Sequence, residues 1–448
     1  MKLSKDQRKI FYNLFFPALA ENLLLRLFHM ADAMMLGQMK DSTLAVAAVG
    51  LCSAPVNLII STTNGFFIGT TATIAWLFGA KEKKRLRSVT TQAGLIGLIV
   101  ASLFSCISIF CAEPIIRFVC GESEAFSPAL SYFRIISYGH FFQIMTSFIT
   151  AAFRGIGITK MPLLYNISGG ALNVFLNYLL IYGHWGAPAL REAGAAWATT
   201  ISKMVVFVIA VLIFFMKDTP VRPRKGIRLK WDPLIRKRLF PVGLTSFCEQ
   251  VIAQMGATLS AKIVAALPTH AIAANQVVCQ MEGFAWSTGS ACMTASTSLF
   301  GRSLGENSEP KARAYLRMTL KCAVICAAAC SIIFILFSRQ VAALFTNNAA
   351  LYPLIGRLLI FAAINLFPIN LHQSTSGAMR GAGDSLAPLL SSMTSLWVFR
   401  VLLGYLTVSV WGQGVLIYRI CLLLDQSVRL LAVTYFYRSN HWKRQKKP

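Results

Sequence analysis

Apolar stretches long enough to cross a bilayer follow one another along this chain of 448 residues. Only 13% of the residues are charged and 56% are apolar, whereas a soluble protein would carry about twice that charge. A helix needs about 20 apolar residues to span a membrane, so the sequence predicts an all-α integral membrane protein. Its twelve predicted transmembrane spans are residues 10–36, 44–76, 88–112, 128–152, 161–183, 194–216, 240–267, 271–300, 318–337, 353–378, 386–408 and 414–437.

The basic residues, 43 Lys and Arg against 17 Asp and Glu, lie mostly between these stretches. Such an excess often indicates nucleic-acid binding, but here it marks topology, and no nucleic-acid partner is expected. One side of the predicted membrane carries only Lys40, Arg117, Arg191 and Arg339 in its connections. The positive-inside rule then places both termini in the cytoplasm. Short loops and the lack of a targeting segment predict the inner membrane of a prokaryote, with the lipid bilayer as partner.

Signatures of catalysis and of metal binding are missing from the sequence. There is no HExxH, GxSxG or Walker motif, and the 11 cysteines form no CxxC pair. Cys322, Cys326 and Cys330 share one helix face, where small packing residues are far commoner than metal ligands. We therefore expect a protein that is not an enzyme and needs no cofactor.

One internal repeat organises the chain, because a shift of 226 residues brings matching segments together. Residues 152–157 read AFRGIG and residues 378–383 read AMRGAG, and a proline, Pro162 or Pro388, follows each five residues later. Each half then contains six spans, and an even number makes the halves parallel. We expect two six-helix lobes, residues 1–216 and 240–448, around a central cleft. A basic cytoplasmic linker, 217–239, joins them, and a monomer suffices.

The repeated A-x-R-G-x-G with its following proline resembles the multidrug and toxic compound extrusion (MATE) transporters. The resemblance covers residues 10–437 and implies secondary active export by rocking of the two lobes. Entry of H⁺ or Na⁺ then drives small, amphipathic and often cationic molecules outward.

Polar residues inside the first-half spans are candidates for binding the coupling cation, since a charge there is costly. Asp32 is an intramembrane carboxyl, and Asn173 and Asn177 share one helix face and offer oxygens suited to a hard cation. The resemblance implies that these residues and Thr199 form a cation site. Asn177 stands where the family often has Asp, which leaves the choice between H⁺ and Na⁺ open. The alternatives are a hydrogen-bonded Asp32 and asparagines that only pack helices together.

Two acidic residues are candidates in the second half. Glu249 matches an acidic residue that many members of the resembling family use for cation coupling, and it could also balance a cationic substrate. Asp425 occupies the position of Thr199 after the shift of 226 residues and is the candidate second carboxylate. The alternative for Asp425 is an ion pair with Arg429 at i+4.

Pro17 and Pro241, which the repeat aligns at an offset of 224, are candidate conformational hinges. A proline inside a helix cannot donate its backbone hydrogen bond and favours a kink. The resemblance links bending of the first helix at Pro17 to protonation of Asp32. The alternative for Pro17 is that it only marks the entry of a helix.

Flexible methionines and broad aromatic rings suit varied ligands, and they predict the lining of the substrate cleft. The same residue types also cover ordinary core and lipid-facing surfaces. The candidates are Phe141, Met145, Met255, Met281 and Trp286.

Rival functions remain open at this level. Interior cations such as Arg26, Lys203 and Arg400 weaken the expectation of a cationic substrate. They suit a flippase for a lipid-linked saccharide, whose pyrophosphate they would bind, or an exporter of an anionic metabolite. An integral membrane enzyme is a more distant alternative.

Overall fold

A computed structural model describes residues 3–38, 42–121, 123–186, 188–223, 231–345 and 348–445, and within these ranges the chain is helical without strands. Lys40, residues 224–230 of the predicted linker and the end of the basic tail, 446–448, lie outside the described residues. The first half contains α1 (Lys5–Gly37), α2 (Ser42–Gly79), α3 (Lys83–Phe110), α4 (Ala112–Cys120), α5 (Phe126–Gly155), α6 (Lys160–Tyr182) and α7 (Arg191–Met216).

The second half repeats this order. Its helices are α8 (Phe240–Ala265), α9 (Thr269–Gly305), α10 (Glu309–Leu336), α11 (Ser338–Phe345), α12 (Tyr352–Ala382), α13 (Leu386–Ser395), α14 (Leu403–Tyr405) and α15 (Val415–Arg438). Wider π-helical turns precede α8 at Ile235–Leu239 and flank α14 at Leu396–Leu402 and Leu406–Val410. Such turns relax the regular hydrogen-bond ladder and are frequent at functional sites.

Every predicted span overlaps a helix, and two short helices, α4 and α11, were not predicted. By length and composition alone, 8 helical segments of the described residues are apolar enough to cross a membrane. The long helices α5, α8, α9 and α15 fall outside that set. Their interiors carry polar and charged side chains, as with Glu249 in α8 or Asp425 in α15. Helices of this kind hide polar faces inside the bundle rather than exposing them to lipid.

The repeated motif forms the same helical corner in both halves. Its last glycine, Gly157 or Gly383, adopts a left-handed backbone with φ of 83° or 99° just after α5 or α12 ends. Such a conformation favours glycine at a helix end. The following proline then lies in the first turn of α6 or α13, where its missing N–H costs nothing. The motif therefore ends one helix and starts the next at equivalent places.

The two halves meet where α2 packs against α8 and α9 and where α1 packs against α9. The helices α2 and α9 touch at their C-terminal ends. A Cβ added at Gly79 would overlap the carbonyl of Arg302, and one added at Gly305 would overlap the carbonyl of Trp76. The two glycines are equivalent in the repeat, and each lets one helix approach the backbone of the other. We call this contact the glycine seam. The phenylalanines at the start of α1 also cross to the second half, where Phe11 and Phe15 pack in one core cluster with α9.

Replacing Gly305 with alanine is expected to destabilise the protein by about 1–3 kcal/mol, because the added methyl overpacks two fixed backbones. Gly50→Ala in α2 is the matched control, since no atom lies within 4 Å of a Cβ there. The control also gains whatever helix propensity alanine adds. Thermal unfolding of both purified variants checks the prediction, and equal stability would contradict the tight seam.

Candidate functional site

Asp32 lies at the centre of a polar cluster formed by α1, α6 and α7. The amide nitrogen of Asn177 donates to Asp32 Oδ1 at 2.7 Å, and the same nitrogen lies 3.5 Å from Asn173 Oδ1. Asn173 Nδ2 lies 3.3 Å from the hydroxyl of Thr199. The helical spacing of the two asparagines aims both at one carboxyl, as their i, i+4 positions predict. The four residues predicted from the sequence for the first-half site therefore lie next to one another.

The amide of Asn173 fits this cluster better when its oxygen and nitrogen are exchanged. Its nitrogen then donates to both Asp32 oxygens, at 2.8 and 3.1 Å, and its oxygen accepts from the Thr199 N–H at 3.3 Å. In either orientation the buried Oδ1 of Asn177 has no hydrogen-bond partner. A buried acceptor without a partner is rare in proteins. The carboxylate of Asp32 and the unpaired amide oxygen of Asn177 can bind a cation, but two ligands are few for a metal ion.

Lys203 of α7 adds a positive charge that interacts electrostatically with Asp32. The cluster therefore contains one carboxylate, two amides that donate to it, and one amine nearby. From the sequence alone, Lys203 is only one of several cations inside the predicted spans. Its position in the fold makes it part of the environment of Asp32.

Glu249 forms a buried ion pair in the second half. Its Oε2 accepts from Arg380 Nη2 at 2.5 Å, and its Oε1 accepts from the hydroxyl of Ser392 at 2.9 Å. Arg380 is the arginine of the repeated motif. Both oxygens of Glu249 are thus occupied within the protein.

Asp425 is fully buried and pairs with Arg429 at 2.9 and 3.2 Å. The hydroxyl of Ser395 also donates to it, at 2.8 Å. The geometry is that of the i+4 ion pair considered above. Glu249 and Asp425 therefore hold separate arginines instead of forming one carboxylate pair.

The first half contains a counterpart of the Glu249 pair that the sequence analysis missed. Arg154, the arginine of the first motif copy, pairs with the buried Glu21 at 3.0 Å, and Asn166 donates to the same oxygen at 2.7 Å. The shift of 226 residues superposes Arg154 on Arg380, and Asn166 on the residue that donates to Glu249. The sequence contains a signal for this pair. The arginine is identical in the two copies of the motif, and the first helix of each half contains a glutamate.

The two predicted hinges occupy different settings. Pro17 lies inside α1, which continues as one helix from residue 5 to 37. Pro241 is the second residue of α8 and follows the π-helical turn at Ile235–Leu239. Their role as hinges stays a prediction.

A cavity of about 430 Å³ lies between α1 and the second-half helices α8, α9, α12, α13 and α15. Of the residues predicted for a substrate cleft, Trp286 lines it. Phe141 and Met145 pack against the core of the first half, and Met281 packs against the core of the second. Met255 is about half exposed and is absent from the cavity lining. Residue type alone could not distinguish these positions, because their neighbours come from other helices.

The segment between the two halves is held to α3 by a bidentate ion pair. Arg85 donates to the two oxygens of Asp232 at 2.7 and 2.9 Å, and the Leu234 N–H donates to Asp232 Oδ1 at 2.9 Å. Burial alone would raise the pKa of Asp232, but these hydrogen bonds and the charge of Arg85 lower it. The pair therefore stabilises docking above the unfolded pKa of Asp, about 3.9, and is lost as the pH falls through the lower folded value.

Hydrogen exchange tests this pH dependence. Corrected for intrinsic rates, protection of the Leu234 amide is expected to stay constant from about pH 8 to pH 5 and to fall only below about pH 4. Asp232→Asn loses the charge that holds Arg85 but keeps an oxygen that can accept from the Leu234 N–H, so it is expected to reduce the protection at neutral pH. Glu82→Gln is the matched control, since that carboxylate is nearly half exposed and pairs with Arg85 at 3.4 Å, a contact worth little. Loss of protection near pH 6 in the wild type would contradict the assignment.

Long apolar helices, ionisable groups buried between them and a cavity between two related halves define a membrane protein of the transporter class. The MatE family matches residues 17–179 and 242–406, and so most of the chain. The chain belongs to this family, the MATE transporters.

Individual relatives cover nearly the same length. The probable multidrug resistance protein NorM of Thermotoga maritima is 26% identical over 440 residues, covering 98% of this chain and 94% of that protein. The multidrug resistance protein PmpM of Pseudomonas aeruginosa is 24% identical over 392 residues, covering 85% of this chain and 80% of that protein.

Solved structures share the fold. A MOP superfamily transporter from Pyrococcus furiosus, described as having a binding pocket of reverse polarity that suggests a different function, superposes with a TM-score of 0.89 at 23% identity. A multidrug resistance MATE family transporter in an outward-facing conformation gives the same score and identity. In both cases the similarity covers 98% of this chain and 97% of the other.

Proposed function

We propose that this chain is a secondary active exporter of small amphipathic molecules in the plasma membrane of a prokaryote, driven by entry of a cation. Relatives named as multidrug resistance proteins support export as the activity. The observation that carries the coupling is the cluster in which Asn173 and Asn177 surround the intramembrane carboxyl of Asp32.

The working parts are two six-helix lobes, residues 1–216 and 240–448, joined by the linker 217–239. The family matches once in each half, and the motif corners and the Arg–Glu pairs are repeated between the halves. Parallel repeats of this kind place the substrate at their interface, where the cavity lies. Both termini are cytoplasmic in this arrangement, and one chain contains both lobes.

Rocking of these lobes requires a contact that opens and closes. The glycine seam closes the ends of α2 and α9 that the predicted topology places in the cytoplasm. The conformation is therefore closed on the cytoplasmic side, and the alternative state must separate Gly79 from Gly305. Bending at Pro17 or Pro241 would let the first helix of each lobe follow that movement. The two packings must differ by only a few kcal/mol for a bound ligand to shift them.

A proton is the coupling ion that suits the Asp32 cluster best. Sodium prefers several oxygen ligands, as other hard cations do, whereas here two amide nitrogens already donate to the single carboxyl. A carboxyl in apolar surroundings takes up a proton more readily than an exposed one. Protonation would weaken the hydrogen bonds from α6 and so release α1 from it.

Transport by proteoliposomes tests the proposal. Vesicles are loaded with one cationic, one neutral and one anionic fluorescent compound in turn, and proton and sodium gradients are imposed separately. A proton gradient is expected to drive export of at least one compound, and a sodium gradient alone is not. Lack of movement under both gradients would contradict export, and sodium-driven movement would contradict the assignment of the ion.

A further inference from the structure

Residues that line the cavity between the lobes carry buried side-chain donors that no protein atom satisfies. Arg380, Arg429 and Gln373 are at most 6% exposed and line the cavity, yet Nε of both arginines and Nε2 of Gln373 make no hydrogen bond. Nε of Arg26, from α1, is buried and equally without a partner. Among the described residues that line the cavity, no buried acceptor is left in this state. Buried donors without partners are costly, so this side of the cavity is suited to a ligand that accepts hydrogen bonds.

The charges point the same way. Arg380 and Arg429 are balanced by Glu249 and Asp425. Within the part of the chain that the structure describes, Arg26 forms no ion pair, and Glu249 is the one acidic residue of the cavity lining. Both oxygens of that glutamate are already hydrogen-bonded, to Arg380 and Ser392. A cationic ligand would therefore meet three guanidinium groups and no free carboxylate.

Arg26 is held in place by features of the opposite lobe. Its Nη2 donates to the carbonyl and to the side-chain oxygen of Gln280 in α9, at 3.3 and 2.8 Å. The guanidinium lies over Gly283, where any Cβ would overlap it. A glycine one turn from its hydrogen-bonding partner thus lets Arg26 cross from α1 to α9 at the edge of the cavity. The Arg26 side chain is therefore fixed by contacts between the two lobes and does not extend into solvent.

We propose that this cavity binds an amphipathic organic anion, with its carboxylate at Arg26 and beside the guanidinium groups of Arg380 and Arg429. The apolar part of the ligand packs against the remainder of the lining. That remainder is largely apolar and includes Leu25, Ile252, Trp286, Met393 and Leu396. The volume of about 430 Å³ lies in the range of drug-sized sites. Arginine recognises carboxylates through paired, charge-assisted hydrogen bonds. The inference rests on the proposed exporter function and names the class of its substrate.

Three fluorescent probes of one scaffold test the charge preference. Dansylglycine is an anion, its methyl ester is neutral and dansylcadaverine is a cation, and their binding is measured by fluorescence in nanodiscs of zwitterionic lipid. We expect the wild-type protein to bind dansylglycine at least about tenfold more tightly than either of the others. This comparison needs no variant. Tighter binding of dansylcadaverine, or equal binding of all three, would overturn the proposal.

Variants then locate the anion. Arg26→Gln and Gly283→Val, which displaces the same arginine, are each expected to weaken dansylglycine about tenfold and to leave the ester unchanged. Arg26→Lys is expected to retain part of the preference. Arg134→Gln is the matched control, because Arg134 is exposed and pairs with Glu113. Undiminished binding of dansylglycine by folded Arg26→Gln would contradict the site.

Two further arms separate the possible failures. Nanodiscs containing anionic phosphatidylglycerol are expected to give the same affinity for dansylglycine. Competition by that lipid would instead assign the donors to a lipid headgroup and overturn the proposal. Export of the same probes from proteoliposomes is scored independently. Selective anion binding without gradient-driven export would contradict the proposed function alone, whereas export of only the cationic probe would contradict the inference alone.

Discussion

Replacing Asp32 with asparagine is expected to reduce gradient-driven export to the rate of protein-free vesicles. The substitution nearly preserves side-chain size and can accept a hydrogen bond from Asn177, but it removes the titratable group. Without that group, proton entry has no means of shifting the equilibrium between the two packings of the lobes. The protein is expected to remain folded, because the neighbouring amides keep a polar partner. Initial export rates in proteoliposomes with an imposed proton gradient check the result.

Asp6→Asn is the matched control for this prediction. Asp6 is an exposed residue in the first turn of the same helix. It undergoes the same chemical change without touching the cluster, so it should transport like the wild type. Full proton-driven export by Asp32→Asn would remove the proposed coupling site. Equal losses in both variants would show that the change acts on expression or folding.

Breaking the buried pair of Glu249 and Arg380 is expected to have the largest effect on stability. Arg380→Gln leaves the carboxylate of Glu249 buried without its cation, and such single removals cost about 3–5 kcal/mol. The double variant Glu249→Gln, Arg380→Gln removes both charges and should recover most of that loss. Unfolding of the purified proteins in increasing SDS, followed by circular dichroism, gives the free energies.

An exposed pair provides the control for that cycle. Arg134 and Glu113 are each about half exposed and lie 3.7 Å apart, so Arg134→Gln should cost no more than about 1 kcal/mol. Arg154→Gln should resemble Arg380→Gln, because its partner Glu21 is equally buried. A loss below about 1 kcal/mol for Arg380→Gln would mean that the carboxylate becomes neutral or hydrated when its partner is removed.

The first-half cluster was predictable because its geometry is local in two respects. Asn173 and Asn177 share a face by helical spacing alone, and an intramembrane acid such as Asp32 needs a partner. The resemblance supplied the pairing of helices that spacing could not. The expectation of two parallel lobes rests in the same way on the repeat, since an even number of spans per half gives both halves the same orientation.

The cavity lining was not predictable from residue type. Methionines and aromatic residues occur on every apolar helix surface, and only the packing of distant helices shows that Trp286 faces the cavity while Met255 does not. The same reason hid the role of Arg26. Its partner lies 254 residues away in the sequence, and no periodicity within α1 indicates a contact with α9.

The arginines also bear on the flippase alternative. Pyrophosphate recognition would need several arginines free of internal partners, but Arg380, Arg429 and Arg419 each pair with a carboxylate. Arg26 alone remains free of a carboxylate among the cavity-lining arginines of the described chain. One free guanidinium suits a single carboxylate better than a diphosphate.

Substrate-driven proton movement tests the coupling most directly. Proteoliposomes containing a trapped pH indicator are given a gradient of a transported compound and no ion gradient. Because coupling is reciprocal, the wild type is expected to move protons in the direction opposite to the substrate and so to change the lumenal pH. Asp32→Asn is expected to move no protons and to leave the lumenal pH constant. Movement of the compound by the wild type at constant lumenal pH would contradict proton coupling through Asp32.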